Sequence, residues 1–66
     1  MRRDDLTQRE LETLRLIAAG HSRADAGRML GNTESTIRSR MNIVLHKLNA
    51  STTAHAVSVA HQRGLL

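Results

Sequence analysis

Residues 22–48 read SRADAGRMLGNTESTIRSRMNIVLHKL, and this stretch decides the fold. Ser22 is a good helix cap, so the spacing predicts a short helix over residues 23–30. Gly31-Asn32 then break the chain. A longer helix with a continuous apolar stripe is predicted over residues 34–48. A short helix, a tight turn containing glycine and a longer helix make a helix-turn-helix unit.

The flanking segments predict two more helices. Thr7 and Glu10 have capping-box spacing, which indicates a helix over residues 8–19. Thr52 can cap a last helix over residues 53–63. No alternating strand pattern occurs, so we predict an all-α domain of four helices. The residues expected to face inward are Leu11, Leu14, Ile17, Ala18, Ala26, Met29, Leu30, Ile37, Met41, Val44, Leu45, Leu48, Ala54, Ala56, Val57 and Ala60.

Size and composition restrict the class of protein. The chain has 66 residues, which suits one domain over residues 1–66. Residues 1–5 are expected to form a disordered arm. The absence of cysteine excludes disulfides, zinc-cysteine sites and a thiol nucleophile. Without disulfides, a signal peptide or a run of about 20 apolar residues, we expect a cytoplasmic protein outside the membrane. No constellation of residues predicts an enzyme, a metal site or a cofactor.

The charge of the chain is unevenly distributed. Residues 1–20 sum to zero, whereas residues 21–66 hold six basic side chains against two acidic ones. Nine of the ten basic residues are arginine, which binds phosphate and guanine edges through two parallel hydrogen bonds. A basic excess of this kind favours a polyanionic partner such as double-stranded DNA.

The third helix carries a polar face opposite its apolar stripe. Projection at 100° per residue predicts that this face is free of acids and large hydrophobic side chains. Its members are Ser35, Arg38, Ser39, Asn42 and His46. Arginine reads guanine, asparagine reads adenine and serine reads either, so the face is typical of a helix in the major groove. A merely solvated surface is the alternative interpretation.

Four segments together resemble a known family. They are LTQRELETLRLIAAGHS (residues 6–22), TESTIRSR (33–40), KL (47–48) and AVSVAHQRGLL (56–66). In order and spacing they are similar to the LuxR/FixJ-type helix-turn-helix domain of bacterial regulators. The resemblance implies a bacterial or phage transcription regulator whose third helix reads DNA and whose fourth helix supports a homodimer.

The same resemblance implies roles for individual residues. Arg38 would contact a base or phosphate, and Ser39 and Asn42 would face the groove. The residues predicted to bind DNA are Thr33, Ser35, Thr36, Arg38, Ser39, Asn42, His46, Lys47 and Arg23. The stripe predicted to form the dimer contact, with its valine and leucine exposed, consists of His55, Val59, Gln62 and Leu66.

The chain departs from the family pattern at several positions. Thr13 replaces a usual valine, Asn32 a usual isoleucine or valine, and Arg40 a usual histidine. We expect Thr13, Asn32 and the Ala26-Gly27 pair, which stands where the family usually has Ile-Ala, to thin the core. We expect Arg40 to pair with an acid of the first helix, Glu10 or Glu12. The usual Asn-Ile pair is also displaced, so that isoleucine stands at position 43.

Two other functions fit the same fold. One is a protein-interaction module, such as a fragment like region 4 of a sigma factor, that docks on RNA polymerase or a partner regulator. The other is a DNA-coating protein without sequence preference. A sequence-selective footprint of the purified protein distinguishes a specific regulator from both.

Overall fold

The computed structural model describes residues 6–66, which form four helices. They are α1 (Gln8–Ala18), α2 (Arg23–Leu30), α3 (Glu34–Lys47) and α4 (Thr53–Gln62). The all-α, four-helix prediction is confirmed, and each predicted helix end agrees to within one residue. The arm predicted for residues 1–5 lies outside the described residues.

Each helix begins directly after a serine or threonine that caps it. In each case the cap hydroxyl accepts a hydrogen bond from the backbone N–H three residues later, which satisfies one of the unpaired donors of the first turn. The caps are Thr7, Ser22, Thr33 and Thr52. The carboxylate of Glu10 also accepts from the Thr7 N–H, which completes the predicted capping box.

The core lies between α3 and the other three helices. Ile37, Met41 and Val44 of α3 are buried to 1% exposure or less. Leu14 of α1 is equally buried, and Leu65, which follows α4, folds back onto the same cluster. Because α3 is buried along one side only, its opposite side is left open to a ligand.

Three residues predicted to face inward are exposed instead. Met29 is 57% exposed, and Ala18 and Ala54 also lie on the surface. The buried side of α2 is centred between Ala26 and Gly27, about 110° from Met29 at 3.6 residues per turn. Ala18 is the last residue of α1, and Ala54 lies about 140° around α4 from its buried alanines.

Gly27 lets the α2–α3 turn approach α2 closely. A Cβ atom at this position would lie 2.7 Å from the carbonyl oxygen of Asn32. The same turn is closed by Gly31 in the left-handed conformation, with φ of 74°. These two glycines therefore fix the path by which the chain enters α3.

Candidate nucleic-acid interface

The outer face of α3 is open to solvent. Ser35, Ser39, Asn42 and His46 are all exposed, and the side chain of Arg38 is 57% exposed. Together with Arg38, these are the residues that the sequence placed on one side of this helix. The backbone beneath them is rigid because the opposite side of α3 is packed into the core.

Two features of this face differ from the sequence prediction. Glu34 lies beside Arg38, with its Oε2 atom 3.1 Å from Nη2 of the arginine. Ile43 is 48% exposed at the edge of the face. The expectation of a face without acids or large hydrophobic residues was therefore wrong. The i,i+4 spacing of Glu34 and Arg38 was a readable signal for the first feature.

The N-terminus of α3 presents two hydroxyl groups. Thr33 Oγ1 accepts from the Thr36 N–H at 3.1 Å and donates to the Thr36 hydroxyl at 3.0 Å. Both side chains are exposed. Thr36 retains acceptor capacity on its hydroxyl oxygen, and the first-turn N–H groups give this end of the helix a partial positive charge.

Arg40 does not pair with Glu10 or Glu12, so that expectation was wrong. Its Nη1 atom donates instead to Thr13 Oγ1 at 3.2 Å and to Asn32 Oδ1 at 3.1 Å. Thr13 is fully buried in α1, and Asn32 lies in the α2–α3 turn. Arg40 is long enough to reach both oxygens, so three departures from the family pattern form one polar network.

Lys47 holds the other end of α3. Its Nζ atom lies 2.8 Å from Oε1 of Glu10, and the two side chains are only 28% and 11% exposed. Burial raises the pKa of Glu10, but the hydrogen bonds from Lys47 and Thr7 outweigh it and hold the pKa below its ordinary value. In this structure Lys47 therefore links α3 to α1, and its predicted contact with DNA stays a prediction.

Arg40 and Lys47 have a common effect on the recognition surface. They are seven residues apart, so they lie two turns apart on the same flank of α3. Both bond to side chains of α1, at Thr13 and Glu10. This two-point attachment fixes the orientation of α3 against α1.

The remaining predicted residues lie at two separate places. Arg23 is exposed at the start of α2. His55 and Gln62 of α4 are exposed, whereas Val59 of α4 and Leu66, which follows the helix, are half-buried and pack against the core cluster. The expectation of an exposed valine and leucine was therefore wrong, because part of each side chain is buried against the core of its own domain. The dimer contact itself stays a prediction.

Comparison with known proteins identifies the family. The sequence pattern described as "Bacterial regulatory proteins, luxR family" matches residues 4–60. The chain belongs to this luxR family. The resemblance seen in the sequence is thereby confirmed, and the four helices are those of its helix-turn-helix domain.

Curated relatives of this luxR-family chain are transcription regulators by name. It is 36% identical to the transcriptional regulatory protein YdfI of Bacillus subtilis, with 92% of this chain and 29% of the relative covered. It is also 36% identical to the HTH-type transcriptional activator RamA of Corynebacterium glutamicum, with 92% and 22% covered. The chain thus spans between about a fifth and three tenths of the length of these relatives. No solved structure gives a significant match.

The described residues contain neither a membrane-spanning helix nor a cluster of metal-binding side chains. No helix within residues 6–66 combines the length and apolar character needed to cross a bilayer. In the same part of the chain, no three His, Cys, Asp or Glu residues are grouped so that they could hold a metal ion.

Proposed function

We propose that this domain is the DNA-binding part of a transcription regulator and binds duplex DNA sequence-selectively through α3. The observation that carries the proposal is the open polar face of α3 on a helix whose other side is fixed in the core. Membership of a regulatory family supports it. Such a regulator would work in the cytoplasm, where its DNA is.

Base reading is assigned to three side chains. Arg38 offers a guanidinium that fits the O6 and N7 atoms of guanine, and Asn42 offers an amide that fits adenine. Ser39 lies between them and can donate to or accept from either base type. Arg38 must leave Glu34 to reach a base. This exposed pair is worth about 0–1 kcal/mol, so the exchange costs little.

The other predicted residues would position the domain on the phosphates. Hydroxyl groups at the start of α3, the imidazole of His46 and the guanidinium of Arg23 are suitable donors. The hydroxyl groups at the start of α3 are those of Thr33, Ser35 and Thr36, and the set is completed by the ammonium group of Lys47. Lys47 would have to share its ammonium group between Glu10 and a phosphate.

A homodimer through α4 would place two copies of α3 on successive half-sites. The contact would use His55, Val59, Gln62 and Leu66. Two-fold related half-sites one helical turn apart would then be the preferred operator. Because Val59 and Leu66 are half-buried within each domain, the remaining apolar contact is small, and we expect dimers to form mainly on DNA.

Selection of bound sequences from a random duplex pool tests this function. We expect one enriched motif and an affinity that falls steeply with salt, as counterion release requires. Arg38→Ala should weaken binding by about 1–3 kcal/mol and relax preference at one base pair. Ser58→Ala, which changes an exposed residue of α4, is the matched control. A pool without enrichment, or a motif unchanged in the Arg38 variant, would refute the assignment.

A protein-interaction module is the second candidate, and one observation favours it. Met29 lies exposed in an apolar groove of about 270 Å³ between α1 and α2. Leu16 and Leu30 line the groove, with Glu12 and Arg15 at its rim. If this groove is the binding surface of the protein, Met29→Ala should abolish binding to RNA polymerase or a partner regulator. Selection from the random duplex pool should then enrich no sequence motif.

A further inference from the structure

Ile43 is a large apolar side chain on a helix face that is otherwise polar. It is 48% exposed, and only Met29 is a comparably exposed large hydrophobic residue within residues 6–66. Met29 lies in the groove between α1 and α2. Ile43 belongs to α3, the helix on which the proposed function depends.

The position of Ile43 joins it to the base-reading residues. It lies one turn after Ser39 and two turns after Thr36, so the three side chains form one strip along α3. The same strip borders a shallow groove of about 330 Å³, which Ser35 and Arg40 of α3 and Thr7 and Glu10 at the start of α1 also line. Arg40 does not use its charged end to cover this strip, because that end is tied to Thr13 and Asn32.

The chemistry of the strip fits one base edge. Hydroxyl groups at Thr36 and Ser39 are followed along the strip by the side chain of Ile43, which can neither donate nor accept a hydrogen bond. Among the four base edges in the major groove, thymine alone presents a methyl group, and apolar side chains contact it there. A guanine or cytosine edge at the same place would lose a hydrogen bond to water, and the side chain of Ile43 could not replace it.

We propose that Ile43 is a specificity-determining residue that packs against the 5-methyl group of a thymine in the bound duplex. The proposal rests on the proposed function. It adds one base contact, made by Ile43, to the base contacts assigned to Arg38 and Asn42. Contact with the methyl group removes apolar surface of both partners from water, which is the source of the preference.

Replacement of thymine by uracil removes this methyl group and leaves the base pairing intact. On the duplex selected by the wild-type domain, uracil is introduced at one thymine at a time and affinity is measured by fluorescence anisotropy. Burial of one methyl-sized group changes a binding constant by about fourfold. We expect a loss of about that size at one thymine in each half-site.

Ile43→Ala supplies the decisive comparison. The variant should bind the thymine duplex about fourfold more weakly than the wild type and should no longer distinguish thymine from uracil. Alanine is a better helix former than isoleucine, and the site is half-exposed, so the fold should be retained. Met29→Ala is the matched control, since it shortens the other exposed hydrophobic residue and should keep the discrimination.

The outcomes separate the two proposals. If Ile43→Ala keeps the full uracil effect, or if the wild type shows none at any thymine, the role of Ile43 is refuted while sequence-selective binding stands. If the wild-type domain binds no duplex selectively, the proposed function fails and the role of Ile43 fails with it.

Discussion

Replacement of Gly27 by alanine is a change for which helix propensity and packing predict opposite effects. Inside a helix, alanine is favoured over glycine by about 1 kcal/mol. At this site the added Cβ would lie 2.7 Å from the Asn32 carbonyl oxygen and 3.3 Å from the Thr33 carbonyl carbon. The obstacles are backbone atoms, so the clash cannot be relieved by rotation of a side chain.

The magnitude follows from these distances. Overpacking typically costs about 1–3 kcal/mol, and a rigid backbone obstacle places this site at the upper end. After subtraction of the propensity gain, we expect Gly27→Ala to destabilise the domain by about 2 kcal/mol. For a domain of this size that corresponds to a fall in Tm of roughly 10 °C.

Thermal and urea unfolding followed by circular dichroism measure the effect. Ser58→Ala is the control, because it adds helix propensity at an exposed site of α4 and should leave the domain equally or slightly more stable. Gly27→Ala should also weaken DNA binding, since the displaced Asn32-Thr33 turn leads directly into α3. A rise in Tm for Gly27→Ala would refute the argument from close approach.

The two links between α3 and α1 give further predictions. Arg40→Ala should cost about 1–3 kcal/mol, since it leaves hydrogen-bonding groups of Thr13 and Asn32 without their charged donor. Thr13→Val should then change the free energy of unfolding less in the Arg40→Ala variant than in the wild type. A double-mutant cycle of urea unfolding measures this difference, and strictly additive effects of the two substitutions would contradict the network. Because the folded pKa of Glu10 lies below that of the unfolded chain, its link to Lys47 stabilises the domain at pH values above the unfolded pKa, and this stabilisation is lost as pH falls through the folded pKa. Urea unfolding across pH 3–7 should therefore show a smaller acid loss for Glu10→Gln than for the wild type, and identical pH profiles would contradict this sign.

Local chemistry made the helices predictable. Capping by Thr7, Ser22, Thr33 and Thr52 depends on residues within three positions of each cap, so sequence spacing alone located all four starts. The stripe centred on Met41 in α3 was equally readable because one side of that helix is buried along its whole length. Met29 was misplaced because a short helix shows too few turns to define which side is inward.

Long-range polar contacts were not predictable. Arg40 donates to Thr13, which is 27 positions away in the sequence, and to Asn32, which is 8 positions away. No spacing rule connects such partners. In the sequence, Thr13 and Asn32 each stand where an apolar core residue is usual, and nothing linked the two positions. In the fold, both side chains accept hydrogen bonds from the guanidinium group of Arg40. For the base-reading face, periodicity located Arg38, Ser39 and Asn42 on the exposed side, but it passed over Ile43 at the edge.

The most direct test of the central claim is a nuclear magnetic resonance titration of the 15N-labelled domain with its selected duplex. We expect the largest amide shifts on the exposed side of α3, around Arg38, Ser39 and Asn42, while amides of the α1–α2 groove around Met29 change little. Shifts centred on Met29, with the outer face of α3 unperturbed, would contradict it.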